Sequence, residues 1–299
     1  MIYTVTFNPA IDYVVHIPEL KSGSILRAEG ESAYFGGKGI NVSLILKELG
    51  IKSIAMGFSA GFTGKAIEDG IACEEIKTDF VRLKDGLTRI NVKIRSGEET
   101  DINGHGPEIP NDAIEALFNK LDALQSGDML ILAGSIPSTL PDDIYERIME
   151  RLYKNGVMFV VDAEKDLLLN SLKYKPFLIK PNKEELGEIF SSEIKTADDA
   201  LKYAARLQDM GAVNVLISMG GEGAVLLDEN KSKHRMSALG DEFVNSVGAG
   251  DSMVAGFIAG YLKEKDYAFA LRLGAAAGGA TAASEGLGKK EKILKLLQS

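Results

Sequence analysis

The chain has 299 residues, 45% of them hydrophobic, and a formal net charge of -9. That is enough apolar material for one large domain or a domain with an appendage, and the acidic balance argues against nonspecific nucleic-acid binding. Its one cysteine, Cys73, excludes an internal disulfide, and no apolar run approaches the roughly 20 residues of a membrane helix. The N-terminus MIYTVTFNPAID enters a strand-like segment without the charged and apolar regions of a signal peptide, so a cytoplasmic location is the expectation.

In chain order, IYTVTF (2–7), SIAMGF (53–58), MLILA (129–133), VMFVVD (157–162), FLIK (177–180), VLISM (215–219) and AVLL (224–227) are short apolar runs suited to strands buried on both faces. Amphipathic stretches lie between many of them, among them INVSLILKELG, DAIEALFNKLDAL and DDIYERIMERLYKNG, the last closed by Asn155-Gly156. Alternation of this kind predicts an α/β protein with a largely parallel sheet covered by helices. Two segments depart from it. TRINVKIRSGEETDIN (88–103) reads as a half-exposed antiparallel hairpin turning at Ser96-Gly97, and residues 11–35 are strand-rich outside the βα pattern. Together they predict a small sheet over one end of the main domain, a lid built from two insertions.

Two glycine-rich turns carry the chemistry. In NSVGAGDSMVAGF, a turn precedes an apolar-periodic helix, so Gly248, Ala249 and Gly250 offer backbone N–H groups to an anion where the helix dipole favours it. Asp251 in the first turn is a candidate base toward a hydroxyl attacking a phosphoryl group, and equally a residue that merely complements the helix N-terminus. FGGKGINVS (35–43) sets Lys38 in a second such turn, a second anion site or a glycine turn with a solvated lysine. A phosphate donor and a phosphorylated acceptor require two sites. Walker A and G-x-G-x-x-G patterns are incomplete, and His16, His105 and His234 lack zinc-ligand spacing.

From Asn8 to about Gly288 the chain resembles the PfkB branch of the ribokinase-like sugar kinases, through FGGKGINV, NSVGAGDSMVAGF, NPAID, GSIPS, KPNKEEL and SMGGEGAV. TRINVKI and ETDINGHGPEI are similar to bacterial 1-phosphofructokinases, with tagatose-6-phosphate kinases sharing most of the framework. The resemblance implies a three-layer α/β/α kinase domain (1–10, 36–86 and 107–299) with a β-sheet lid (11–35 and 87–106). It implies transfer from Mg-ATP to fructose 1-phosphate, with tagatose 6-phosphate or fructose 6-phosphate as alternative acceptors and a noncatalytic sugar-phosphate sensor as the reading from another class.

Residue by residue, the resemblance makes Asp251 the base, with a carboxyl depressed by the helix N-terminus, and Gly248, Ala249 and Gly250 the anion hole. Asp12 matches a position contacting sugar hydroxyls. Gly37, Lys38, Asn41 and Arg89, with Arg27, match positions around the acceptor. Asn182 and Glu185 match an N-x-x-E element associated with Mg²⁺ through water, and also fit a helix capping box. Ser218, Gly220 and Gly223 match nucleotide contacts, or a strand-ending glycine turn. A monovalent cation near GAGD and a homodimer paired through the lid are further implications, with no nucleic-acid or membrane partner.

Overall fold

The computed structural model describes residues 1–97, 99–240 and 243–299. Strands β1 (Ile2–Thr6), β2 (Ala10–His16) and β3 (Gly30–Gly36) lead into helix α1 (Lys38–Glu48), followed by β4 (Ser53–Ala60) and α2 (Gly61–Cys73). Short strands β5 (Lys77–Thr78) and β6 (Val81–Leu83) precede the pair β7 (Arg89–Arg95) and β8 (Glu99–Asn103). Then come α3 (Asn111–Leu121), β9 (Met129–Ala133), α4 (Ile144–Leu152), β10 (Met158–Asp162), α5 (Lys165–Ser171), β11 (Leu178–Ile179), α6 (Lys183–Phe190) and α7 (Ala197–Asp209). The chain closes with β12 (Asn214–Ser218), β13 (Ala224–Leu227), β14 (Lys233–Met236), α8 (Ala249–Glu264), α9 (Tyr267–Ala282) and α10 (Lys290–Gln298).

The main sheet runs β14-β13-β12-β11-β10-β9-β1-β4-β5, with β6 also pairing β4. Its body is parallel as expected, but β12, β13 and β14 are joined by antiparallel pairing, because their connections are too short for a crossover. Side chains alternate between two cores. On β9, Leu130 and Leu132 join the apolar cluster under α3, α4 and α7, while Met129 and Ile131 join the one under α1, α8 and α9. Period-2 exposure to two helical layers explains why these strands read as continuous apolar runs.

The second sheet has the order β3-β2-β7-β8, with β2 parallel to β7 and the other pairs antiparallel. It combines the two segments that departed from the βα rhythm. The hairpin turn includes Ser96 and Gly97, while Glu98 lies outside the described residues. Residues 17–29, between β2 and β3, form no helix or strand.

Close packing sets the helices that matter for the site. Ile40 N–H donates to Thr6 Oγ1 at 3.0 Å, and a Cβ on Gly39 would lie 2.8 Å from Val5 O, so α1 rests directly on β1. A buried hydroxyl chain, Thr4 to Ser43 at 2.8 Å and Ser53 to Ser43 at 2.9 Å, fixes the same helix from the other side. The small residues of α9 serve helix contact: a Cβ on Gly256 of α8 would come within 2.6 Å of Leu273 O. Among the described residues, no helix is long and apolar enough to cross a membrane.

Candidate active site

The carboxyl ends of β1, β9, β10, β11 and β12 meet the N-termini of α1 and α8, the crevice where open α/β sheets collect ligands. The turn before α8 is built by Asn245, whose Oδ1 accepts from Val247 N at 2.7 Å and whose Nδ2 donates to Glu285 O at 3.2 Å. Gly248 follows at φ +79°, and a Cβ there would lie 2.6 Å from Leu287 Cδ2, so both conformation and space require glycine. Ala249 N–H donates to Ser246 O at 3.1 Å. The next amides, of Gly250 and Asp251, have no acceptor among the described residues, as the first N–H groups of a helix lack an intrahelical partner.

Asp251 is buried at 4% exposure. Its Oδ2 accepts a 2.8 Å hydrogen bond from Asn41 Nδ2, which joins the two glycine-rich turns at one carboxylate. Burial, and then the charge of Asp162, push the Asp251 carboxyl up to about 6; the Asn41 bond, Lys38 and Lys180 oppose that rise. The expectation of a depressed carboxyl is therefore reversed. A helix N-terminus stabilises an anion by a modest amount, whereas loss of water around a buried carboxylate beside a second carboxylate costs more.

Two members of this cluster escaped the sequence reading. Asp162 ends β10 at 1% exposure, and Lys180 follows β11 at 5%. Lys180 Nζ lies 3.3 Å from Asp162 Oδ1, and Lys38 Nζ lies 3.7 Å from the same oxygen. That oxygen has no partner in hydrogen-bond geometry among the described residues, so both are loose ion pairs. The available signal was a charged residue closing each apolar run, VVD and LIK, at the site-facing end of a parallel strand. Burial opposes the charge on Lys38, but Asp162, Asp251, Glu185 and Glu164 outweigh it and hold the ammonium above its ordinary value.

On the second sheet, Asp12 Oδ1 accepts from Asn91 Nδ2 at 2.7 Å. Asp12 Oδ2 lies 3.2 Å from where a Gly36 Cβ would stand, which brings it to the approach to α1. Gly37 caps that helix at φ +127°, and a Cβ would meet Thr6 Cγ2 at 2.5 Å. Arg89 pairs with Ala10 in the sheet and its buried Nε has no hydrogen-bond partner among the described residues. Burial lowers its proton affinity and the Asp12 carboxylate counters. Arg27 sits exposed in the 17–29 connection, without an ion pair among the described residues.

Toward α6, Asn182 and Glu185 form a complete capping box: Glu185 N donates to Asn182 Oδ1 at 2.7 Å, and Asn182 N to Glu185 Oε2 at 2.8 Å. Glu185 is still raised by burial, opposed by that backbone bond and by Lys180. An isolated bridge aligns Asn182 with Ser218, beside the Gly220–Glu222 turn. Gly220, at φ +59°, opens to space, whereas Gly223 abuts β14, where a Cβ would meet Met236 O at 2.0 Å. Packing alone thus accounts for glycine at position 223.

A family model described as pfkB family carbohydrate kinase matches residues 5–293. A 1-phosphofructokinase of Bacillus subtilis is 45% identical over 297 residues, covering 99% of this chain and 97% of the relative. A D-tagatose-1-phosphate kinase of Bacillus licheniformis is 38% identical, covering 98% and 96%. A crystal structure of a putative phosphofructokinase from Staphylococcus aureus superposes with a TM-score of 0.88 at 40% identity, covering 100% of this chain and 97% of the other. The architecture is the ribokinase-like three-layer α/β/α fold.

Proposed function

Because the chain belongs to the pfkB family of carbohydrate kinases, we propose that it transfers the γ-phosphoryl group of ATP to the 6-hydroxyl of fructose 1-phosphate, giving fructose 1,6-bisphosphate. The observation that carries this reading is the buried Asp251 carboxylate beside the Gly250 and Asp251 amides, which have no acceptor among the described residues, tied to the second glycine-rich turn through Asn41. Amides aimed at the transferred group stabilise charge on its oxygens, while the carboxylate receives the proton of the attacking hydroxyl. With a carboxyl at about 6, Asp251 is ionised at neutral pH and is a stronger base than an ordinary aspartate.

Asp12 and Asn91 present polar groups to the sugar hydroxyls, and the guanidinium of Arg89 takes the phosphate already on the acceptor, which supplies the partner its buried Nε lacks. The nucleotide lies toward Ser218 and Gly220. Among the described residues no cluster of three or more His, Cys, Asp or Glu side chains is arranged to hold a metal. A Mg²⁺ ion nevertheless fits beside Glu185, a half-buried carboxylate with one oxygen left free by the capping box, in the manner of an ion held chiefly by phosphates and water. Bound there with ATP, it would neutralise charge on the phosphates.

The four-stranded sheet acts in this reading as a lid over the acceptor, excluding water from the ATP site. It carries exposed Tyr34, Ile90 and Ile102 and free edges at β3 and β8, which supports a homodimer paired through it. Light scattering showing a monomer at working concentration would remove that part.

The D-tagatose-1-phosphate kinase relative favours a second reading in which tagatose 1-phosphate is the acceptor. The deciding test is ADP release from Mg-ATP with fructose 1-phosphate, tagatose 1-phosphate, tagatose 6-phosphate and fructose 6-phosphate, compared by kcat/KM. The expected result is a clear preference for fructose 1-phosphate. Binding of all four without ADP release would instead mean a sensor.

A further inference from the structure

Asp162 is a buried carboxylate shared by two lysines of unlike freedom. Lys180 is 5% exposed and Lys38 has 34% of its side chain exposed. Lys180 is further confined by Gly250, since a Cβ at that position would lie 3.2 Å from Lys180 Nζ. Neither lysine makes a hydrogen bond to Asp162, so neither is committed to it by geometry. Both lysines also act on the Asp251 carboxylate, and Lys38 is drawn by Glu185 and Glu164 as well, so the more exposed Lys38 is held by several carboxylates at once and by none exclusively. A buried carboxylate left without a cation is strongly disfavoured, so the more exposed lysine can leave only if the enclosed one stays.

We propose that Lys180 is a positioning residue that keeps Asp162 neutralised while Lys38 leaves Asp162 and follows the phosphoryl group between donor and acceptor. The inference rests on the kinase reading above and assigns no substrate contact to Lys180. Lys38 is the member that touches phosphate. Without Lys180, Asp162 would have Lys38 as its sole counter-charge and would hold it back from the phosphoryl group.

A double-mutant cycle with Lys180→Met and Asp162→Asn tests this. In the wild-type background, K180M is expected to lower kcat about tenfold or more, with KM for ATP and for the acceptor changing less than about threefold. In the D162N background, where no carboxylate remains to trap Lys38, the same substitution is expected to change kcat less than about threefold. A rise in KM for ATP on K180M, or an equal loss of kcat in both backgrounds, would overturn the proposal and make Lys180 a direct phosphate ligand. Should K180M fail to fold, D162N and the double variant, which leave no unpaired carboxylate at 162, still give the second comparison.

The electrostatic coupling within the cluster is read separately from the titration of Asp251, followed by carbon-13 NMR of its labelled carboxyl without substrate. The groups acting on Asp251 are Asn41 and Lys38 from α1, Asp162 from the end of β10 and Lys180 from the end of β11. K180M should move the midpoint up by about half a pH unit or more, and D162N should move it down. No movement with either would overturn the proposed coupling. Because this measurement needs no sugar, failure of the wild type to phosphorylate any of the four acceptors would count against the proposed function alone.

Discussion

Asn41 and Asp251 stand 210 residues apart in the chain, yet the side-chain amide of the first donates to Oδ2 of the second at 2.8 Å. Replacing Asp251 by Asn keeps the volume and removes the proton acceptor. The expected loss in kcat is about 10²–10⁴-fold, with acceptor binding retained in calorimetry. Turnover within a few-fold of wild type would end the assignment of Asp251 as base.

The same substitution should stabilise the protein at neutral pH. The folded carboxyl at about 6 lies above its ordinary 3.8, so between those values the folded state binds more protons than the unfolded one. Stability from this group is present below about pH 4 and is lost as pH rises through 6, a cost of up to about 3 kcal/mol at pH 7.5. Asp251→Asn removes that cost, and its Tm at pH 7.5 should exceed that of wild type, with a smaller advantage at pH 5.

The hydrogen bond from Asn41 favours the ionised form of Asp251. Asn41→Ala should therefore raise the carboxyl further and move the acid limb of kcat/KM, expected near pH 6 in wild type, to higher pH. Activity at pH 6 should fall by a larger factor than activity at pH 8. A pH profile that drops uniformly would mean that Asn41 serves binding instead.

Arg89 has a buried Nε without a hydrogen-bond partner among the described residues. Arg89→Ala should raise KM for the sugar phosphate about tenfold or more, leave KM for ATP within about twofold, and raise protein stability slightly by removing an unsatisfied buried donor. Steady-state kinetics in both substrates, with a thermal melt, check all three. Unchanged KM for the sugar phosphate would put the acceptor's phosphate elsewhere.

Gly39 and Gly221 predict opposite results for the same change. A Cβ on Gly39 would lie 2.6 Å from Thr6 Oγ1 and 2.8 Å from Val5 O, so Gly39→Ala must lift α1 from β1 and should cost about 1–3 kcal/mol. Nothing lies within 4 Å of a Cβ on Gly221, so Gly221→Ala should stay within about 0.5 kcal/mol. Denaturant melts of the two variants decide it.

The sequence by itself determined the layers and the two turns. Buried parallel strands need unbroken apolar runs and amphipathic helices need their own period, so both are written locally. GGKG and GAGD are legible for the same reason, since a left-handed residue such as Gly248 and a close approach such as that of Gly39 each demand glycine wherever they occur. The four strands of the second sheet were also readable as segments, though their order was not: β2 pairs in parallel with β7 across 79 residues between Asp12 and Asn91. Tertiary structure alone decided the electrostatics. Asp162 and Lys180 look like ordinary charged strand ends until the sheet places them side by side beneath α8, and the proton affinity of Asp251 follows from the water and charges the whole fold removes or supplies. Those are properties of residues distant in sequence, so no local pattern records them.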